Sequence, residues 1–248
     1  MTSATAVGSI QILGAAFFST HHASALDVLA GRGRPFTPPS YRLLVGRARR
    51  FTSLVTQMHI EVCGALLPGA ADPPMAVFAT CQGEIQTAEK LIADLRDSSM
   101  VSSARFALSV HNTPSGLYSV ATGSTAPTTT VTGANAIAAG WLEASLTALD
   151  AGRTVLLSIA DEPVPAVFRG PEEPVGVAAA FLLGASPAGG RAQLAVTPCS
   201  EDAELDAVEV LARAAEAWRH NEPATVALGR IQPGTMLELR VAAQEARA

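Results

Sequence analysis

The segment from Gly133 to Leu149 constrains this chain more than any other: it reads as a helix that is apolar nearly all round, with Ala134, Ile137, Ala138, Trp141, Leu142, Leu146 and Leu149 and few charged positions. Such a helix is buried on most of its sides, so other structure must pack around it. Asp150-Ala151-Gly152 ends it, Gly152 being suited to the left-handed C-terminal cap, and Thr154 to Ala160 (TVLLSIA) follows as a fully buried strand. Helix and strand together make part of a βαβ unit.

The rest of the chain alternates in the same way. Ser9 to Phe18 has the β-branched and apolar content of a buried first strand, and a Gly- and Pro-rich excursion follows to Pro39. Tyr41 to Leu67 carries Leu54, Met58, Val62 and Leu66 at helical spacing behind Arg47, Arg49 and Arg50, which predicts a long helix. Met75 to Ala79 reads as a strand and Gln86 to Leu95 as a helix. Ala107 to Val110 and Leu117 to Ala121 bracket a turn, His111-Asn112-Thr113-Pro114-Ser115-Gly116, and a Thr- and Pro-rich approach, Thr122 to Thr132, leads into the buried helix. Beyond it, strands are expected at Val175 to Leu183, Ala192 to Thr197 and Met236 to Val241, with a helix at Glu204 to Arg219. Alternation of this kind predicts an α/β domain with a mostly parallel sheet. No repeat or domain linker interrupts it.

Composition narrows the function. With 248 residues and 48% apolar content the chain can bury a substantial core, and 17 Lys plus Arg against 22 Asp plus Glu leave no polybasic surface for nucleic acid or anionic lipid. Ile10 to Phe18 imitates the apolar part of a secretory signal but lacks a cationic lead. Val175 to Ala185 is too short to span a membrane. Cys63, Cys81 and Cys199 are odd in number, far apart and without zinc-like spacing, so a soluble protein in the reducing cytoplasm is the expectation.

Chemistry is expected where the Ala126 to Asn135 turn (APTTTVTGAN) delivers small and hydroxylated residues to the N-terminus of the buried helix, a place that can present a nucleophile. The G-x-S-x-G spacing is absent, and no cysteine lies between Cys81 and Cys199, which excludes a thiolate from that stretch of chain. Two readings stand side by side. Thr132 caps the helix in the ordinary way, or Thr130 or Thr132 acts in acyl transfer with His111 as the nearest base in sequence.

Three fragments, Ser109-Val-His111-Asn112-Thr-Pro114-Ser-Gly116-Leu-Tyr-Ser119, Thr132-Gly133-Ala134-Asn135-Ala-Ile137 and Ala160-Asp161-Glu162-Pro163, together resemble the beta-ketoacyl synthase N-terminal-like family, which includes chain-length factors of aryl polyene pathways. Gln11-Ile-Leu-Gly14 and Val77 to Glu84 extend the resemblance more weakly. It implies a thiolase-like α/β fold with an abbreviated C-terminal half, residues 1–165 forming the ketosynthase-like half and 166–248 the shortened one. It also implies that the strand after the Ser-Gly turn pairs across a dimer interface. In an active ketosynthase the attacking cysteine precedes the buried helix. The corresponding position here is Thr130 counted back from Gly133, or Asn135 counted forward from Pro127, and neither is a cysteine. His220 is the one histidine after Asp161, so the histidine pair of an active enzyme is missing.

The expectation is a catalytically silent partner of an active β-ketoacyl synthase that shapes its acyl pocket, meets acyl carrier protein only indirectly and needs no cofactor. His111, Asn112, Gly116, Leu117, Tyr118 and Thr130 are the candidate interface or pocket residues. The alternatives are a free-standing acyl-transfer enzyme and a purely structural partner. His21-His22 and the three arginines read as solvated groups, and Asp161-Glu162 before Pro163 as a turn rather than an acid/base pair.

Overall fold

A computed structural model describes residues 4–40, 43–44, 52–67, 73–168, 175–186, 191–200, 205–220 and 223–242. Its strands are β1 (Thr5–Ser19), β2 (Met75–Thr80), β3 (Thr128–Thr132), β4 (Val155–Asp161), β5 (Val177–Ala185), β6 (Ala192–Pro198), β7 (Ala224–Gln232) and β8 (Thr235–Val241). The helices are α1 (Ala25–Leu29), α2 (Leu54–Leu66), α3 (Ile85–Ser98), α4 (Ser103–Ala107), α5 (Thr113–Thr122), α6 (Ala136–Ala151) and α7 (Ala207–Arg219). All eight described strands join one sheet in the order β3-β2-β4-β5-β1-β6-β8-β7.

The sheet is not mostly parallel. Only β2 with β3 and β2 with β4 run parallel, as the crossover through α6 requires, while the other pairings are antiparallel. β1 lies against both β5 and β6 in the opposite sense, and β7 returns along β8 after the two residues Pro233 and Gly234, too few for anything but a hairpin. Alternation of apolar runs, read along the chain, identifies the strands but leaves their direction in the sheet open.

Because successive strand residues point to opposite faces, each central strand feeds two cores. On one face Val77, Ala79, Val155, Leu157, Ile159 and Phe181 pack with Trp141 and the buried side of α6 and with Val210 and Leu211 of α7. On the other, Phe78, Leu156 and Ala160 pack with Val55, Met58 and Ile60 of α2 and with Tyr118 of α5. The result is a helix–sheet–helix sandwich. α6 is as enclosed as its sequence predicts: Ala136, Ala138, Trp141, Ala144 and Ala148 are fully buried, and the Trp141 and Phe181 rings lie 4.6 Å apart. A Cβ on Gly140 would come 2.7 Å from the Ala79 Cβ, so the glycine is what lets α6 settle this close to β2. Gly152 caps the helix at φ 59.

The second departure is the segment from Leu117 to Ala121, which is not a strand. Pro114 sits in the first turn of α5, where its missing N–H costs nothing, and Gly123 at φ 67 closes the helix. Helical spacing then turns Pro114 and Tyr118 to the sheet. The Thr-rich approach instead contains β3, whose β-branched TTTVT composition is a strand signal. β7, α1 and α4 were not anticipated either. The long helix expected from Tyr41 starts at Leu54 behind its N-cap Ser53, and Arg47, Arg49 and Arg50 lie outside the described residues. No helix among the described residues is long and apolar enough to cross a membrane.

Candidate functional site

Parallel strands bring their C-terminal ends to one edge of a sheet, and here β2, β3 and β4 end together beneath the N-terminus of α6. The turn from β3 into α6 passes through Gly133 at φ 110, whose N–H donates to the Thr80 carbonyl at 3.3 Å. Asn135 is the N-cap residue and makes no side-chain capping bond. Thr132 is therefore not the cap; it is the last residue of β3. With no side-chain cap of its own, the helix end is approached by Cys81, which follows β2 and lines a cavity together with Asn135 and Ile137. A thiol does reach the helix end, from a strand more than fifty residues upstream.

That thiol is held neutral. Burial and then the adjacent Asp161 carboxylate push it up to about 12, against the smaller opposing effect of the helix N–H groups. Asp161 Oδ1 accepts from the Thr80 hydroxyl at 2.7 Å, from the Cys81 N–H at 2.8 Å and from the Gln82 N–H at 3.0 Å, so it ties the end of β4 to the turn after β2. Burial raises its own pKa. Cys81 lines a cavity of about 900 Å³ that opens between Asn135 and Ile137 of the α6 end, Leu205 and Val210 near α7, and Arg230 on β7.

The neighbouring Glu162 is not a solvated turn residue. It is buried, and its two carboxylate oxygens accept the Val55 N–H of α2 at 3.2 Å and the Gln86 N–H of α3 at 2.9 Å, one helix N-terminus on each. Glu84, also buried, accepts from the Ser53 and Thr56 hydroxyls at 2.7 Å each and from Thr87 at 3.0 Å. Burial raises both carboxyls, Glu162 to about 7. Asp161-Glu162 was visible as two acids at a strand end; what they hold depends on helices far away in sequence.

Of the six candidate residues, His111, Asn112 and Gly116 are exposed and Leu117 and Thr130 half-buried, whereas Tyr118 is enclosed in the second core. The His111 ring packs over Gly83, where a Cβ would meet its Cδ2 at 2.8 Å and where φ is +60. Thr130 donates to the Ser115 hydroxyl at 3.4 Å, which ties β3 to α5. Among the described residues no hydrogen bond joins His111 to Thr130 or Thr132. His220 lies at the far end of α7, 3.4 Å from Glu216. His21 and His22 bond to Thr20 and Ser19, and no described group of three His, Cys, Asp or Glu side chains is placed to hold a metal ion.

β3 is an edge of the sheet, and no described strand pairs with its outer side. Pro127 C=O and Gly133 N–H both face β2, so by parallel alternation the peptide groups of Thr128, Thr130 and Thr132 face outward. The opposite edge differs. β7 is bulged at two places, a device that discourages strand addition, whereas the β3 register runs without a shift. Large apolar side chains stand exposed along the elements that precede β3: Ile92, Leu95, Met100, Phe106, Val110 and Val120. They lie in the first half of the chain.

Residues 36–233 match the family model described as "Beta-ketoacyl synthase, N-terminal domain". Among solved structures, one chain of the ketosynthase ApeO in complex with its chain length factor ApeC from Xenorhabdus doucetiae is similar at TM-score 0.74 and 18% identity, over 94% of this chain and 99% of that one. A chain of AntDE:AntF, a type II polyketide synthase acyl carrier protein in complex with its ketosynthase bound to the hexaketide, is similar at TM-score 0.55 and 12% identity. There the overlap is 72% of this chain and 63% of that one, less than two thirds of its length. No curated protein sequence matches. At these identities the likeness shows the fold, which is that of the ketosynthases.

Proposed function

Because the chain belongs to the beta-ketoacyl synthase N-terminal domain family, we propose that it is a chain-length-factor-type subunit: it heterodimerises with an active β-ketoacyl synthase and contributes wall residues to that enzyme's acyl pocket. The observation that carries this reading is the open, regular edge of β3, set against a bulged opposite edge, together with the apolar side chains left exposed from α3 to α5. A partner strand satisfies the outward peptide groups of Thr128, Thr130 and Thr132, and its flanking surface buries the apolar residues. The complex of a ketosynthase with its chain length factor, to one chain of which this fold is similar, supports the choice of partner. His111, Asn112, Gly116, Leu117 and Thr130 then lie on the side offered to the partner. Chain length is set sterically, since packed protein yields poorly to added methylenes. The subunit itself is silent, because the residues at the α6 end are Thr132-Gly133-Ala134-Asn135 and the one thiol nearby is neutral.

The test is co-expression with a ketosynthase from the same gene neighbourhood, pulldown, and product analysis with and without this chain. Thr130→Pro removes one outward N–H and leaves the β2 ladder intact. The variant should keep the fold of the lone chain and lose the complex at least tenfold in affinity. Intact mass after incubation with acyl carrier protein should show no adduct on the lone chain. A stoichiometric acyl adduct, or a Thr130→Pro variant that is folded and still binds fully, would overturn the reading.

A further inference from the structure

The segment that carries α3 and α4 leaves the rest of the fold and returns to it at one place. It departs through Gly83, at φ +60, and comes back at His111, whose ring packs so closely over that glycine that a Cβ there would meet its Cδ2 at 2.8 Å. Between these points α3 ends in the left-handed cap Ser99, and the Asp94–Arg105 ion pair ties α4 back to it. Leu91 is the one buried residue of α3, α4 has none, and neither helix places a side chain in either core. What holds the pair sits in the first turn of α3. The Gln86 N–H donates to Glu162 at 2.9 Å, its side-chain amide donates to the Pro163 carbonyl at 2.9 Å, and Thr87 donates to Glu84, which Ser53 and Thr56 fix beside α2. Among the described residues, no hydrogen bond or ion pair joins residues 88–107 to another element.

We propose that α3 and α4 form an arm that turns as one body about the root between Gly83 and His111, and that docking of the partner ketosynthase fixes it. The docking half rests on the function proposed above; the arm itself does not. Gln86 and Thr87 lie at the pivot, so turning the arm need uncover only Leu91, and few buried contacts are the mark of an element that moves at low cost. The helices keep their own hydrogen bonds throughout. Ile92, Leu95, Met100, Val101 and Phe106 stand exposed on the arm. Glu89, Asp94 and Asp97 offset Lys90, Arg96 and Arg105, so these apolar side chains are offered without net charge, a surface that suits another protein rather than nucleic acid or anionic lipid.

Pulsed electron resonance on the full chain tests this, with spin labels on Asp97→Cys in the arm and Arg153→Cys after α6, in a Cys81→Ser/Cys199→Ser background. A second pair, Arg153→Cys with Thr225→Cys on β7, reports the rest of the fold alone. All three labelled positions are exposed. In the lone chain the arm distance should spread over at least twice the width of the second pair, and in the complex with a neighbouring ketosynthase it should narrow to that width. Ile92→Ser/Phe106→Ser, which alters exposed side chains only, should unfold in urea as the wild type does and bind the ketosynthase at least tenfold more weakly. An arm distance as narrow as that of the second pair in the lone chain would overturn the arm. So would α3 amides that exchange with solvent as fast as those of an unfolded peptide, since that spread comes from melting rather than turning. A spread that persists in a complex, or full binding by the double variant, would overturn the docking half. A wild-type chain that binds no ketosynthase sinks the proposed function and the docking half together, while the lone-chain distances still decide the arm.

Discussion

Replacing His59 by Leu should make this protein gain stability relative to the wild type on mild acidification, by an amount the burial of the histidine sets. His59 projects from α2 into the second core, fully buried, with Nδ1 2.8 Å from the Ser158 hydroxyl, its ring 5.4 Å from that of Phe78, and Nε2 without a partner. Burial drives its pKa from 6.5 down to about 3, so the native state keeps it neutral while the unfolded chain takes up a proton below 6.5. Its stabilising effect is thus complete above pH 6.5 and is lost progressively as pH falls toward 3. Between pH 7 and pH 5 the loss is about 2 kcal/mol, taking 1.36 kcal/mol per unit of pH below the unfolded value. Glu162 acts in the opposite sense. Its folded value of about 7 lies above the ordinary 4.5, so its contribution is complete below 4.5, is lost as pH rises through 7, and therefore grows by about 2 kcal/mol over the same interval. Glu84 and Asp161, also raised, push the same way. Wild-type stability should accordingly change little on acidification, and His59→Leu, which keeps the carboxylates, should gain about 2 kcal/mol relative to wild type between pH 7 and pH 5. Urea unfolding of both proteins at the two pH values measures the double difference, with equal m-values showing that the same surface unfolds. Parallel pH profiles would refute the assignment of a neutral, buried His59.

Two further substitutions probe the packing that sets the site. Tyr118→Phe should leave stability unchanged or raise it by about 1 kcal/mol, because the buried Tyr118 hydroxyl has no hydrogen-bond partner and its removal ends a desolvation cost; a loss above that size in a denaturant titration would mean that the hydroxyl is bonded. Gly140→Ala should destabilise by about 1–3 kcal/mol, since the new methyl meets the Ala79 Cβ where neither α6 nor β2 can yield; a Tm equal to wild type would show that the α6–β2 approach is looser than described.

Sequence periodicity by itself determined the pieces with local signatures: the buried strands β1, β2 and β4, the amphipathic α7, and above all α6, whose apolar circumference and Gly152 cap announce both its burial and its end. The family resemblance along 109–163 was legible for the same reason, being carried by short contiguous fragments. Three other features rest on partners remote in the chain. Apart from the β7–β8 hairpin, β5, β6 and β8 turn the sheet antiparallel through pairings, β1 with β5 and β6, β4 with β5 and β6 with β8, that no local pattern encodes. α5 is a helix because Tyr118 completes a core made by α2 and β2, a gain that outweighs the turn-like look of Thr113-Pro114-Ser115-Gly116. Cys81 reaches the α6 end, and Glu162 joins two helix starts, because parallel strands deliver their C-terminal ends to one place. Linear spacing records which residues are neighbours along the chain, whereas charge, burial and hydrogen bonding at the site depend on neighbours in space, and only the folded sheet brings those together.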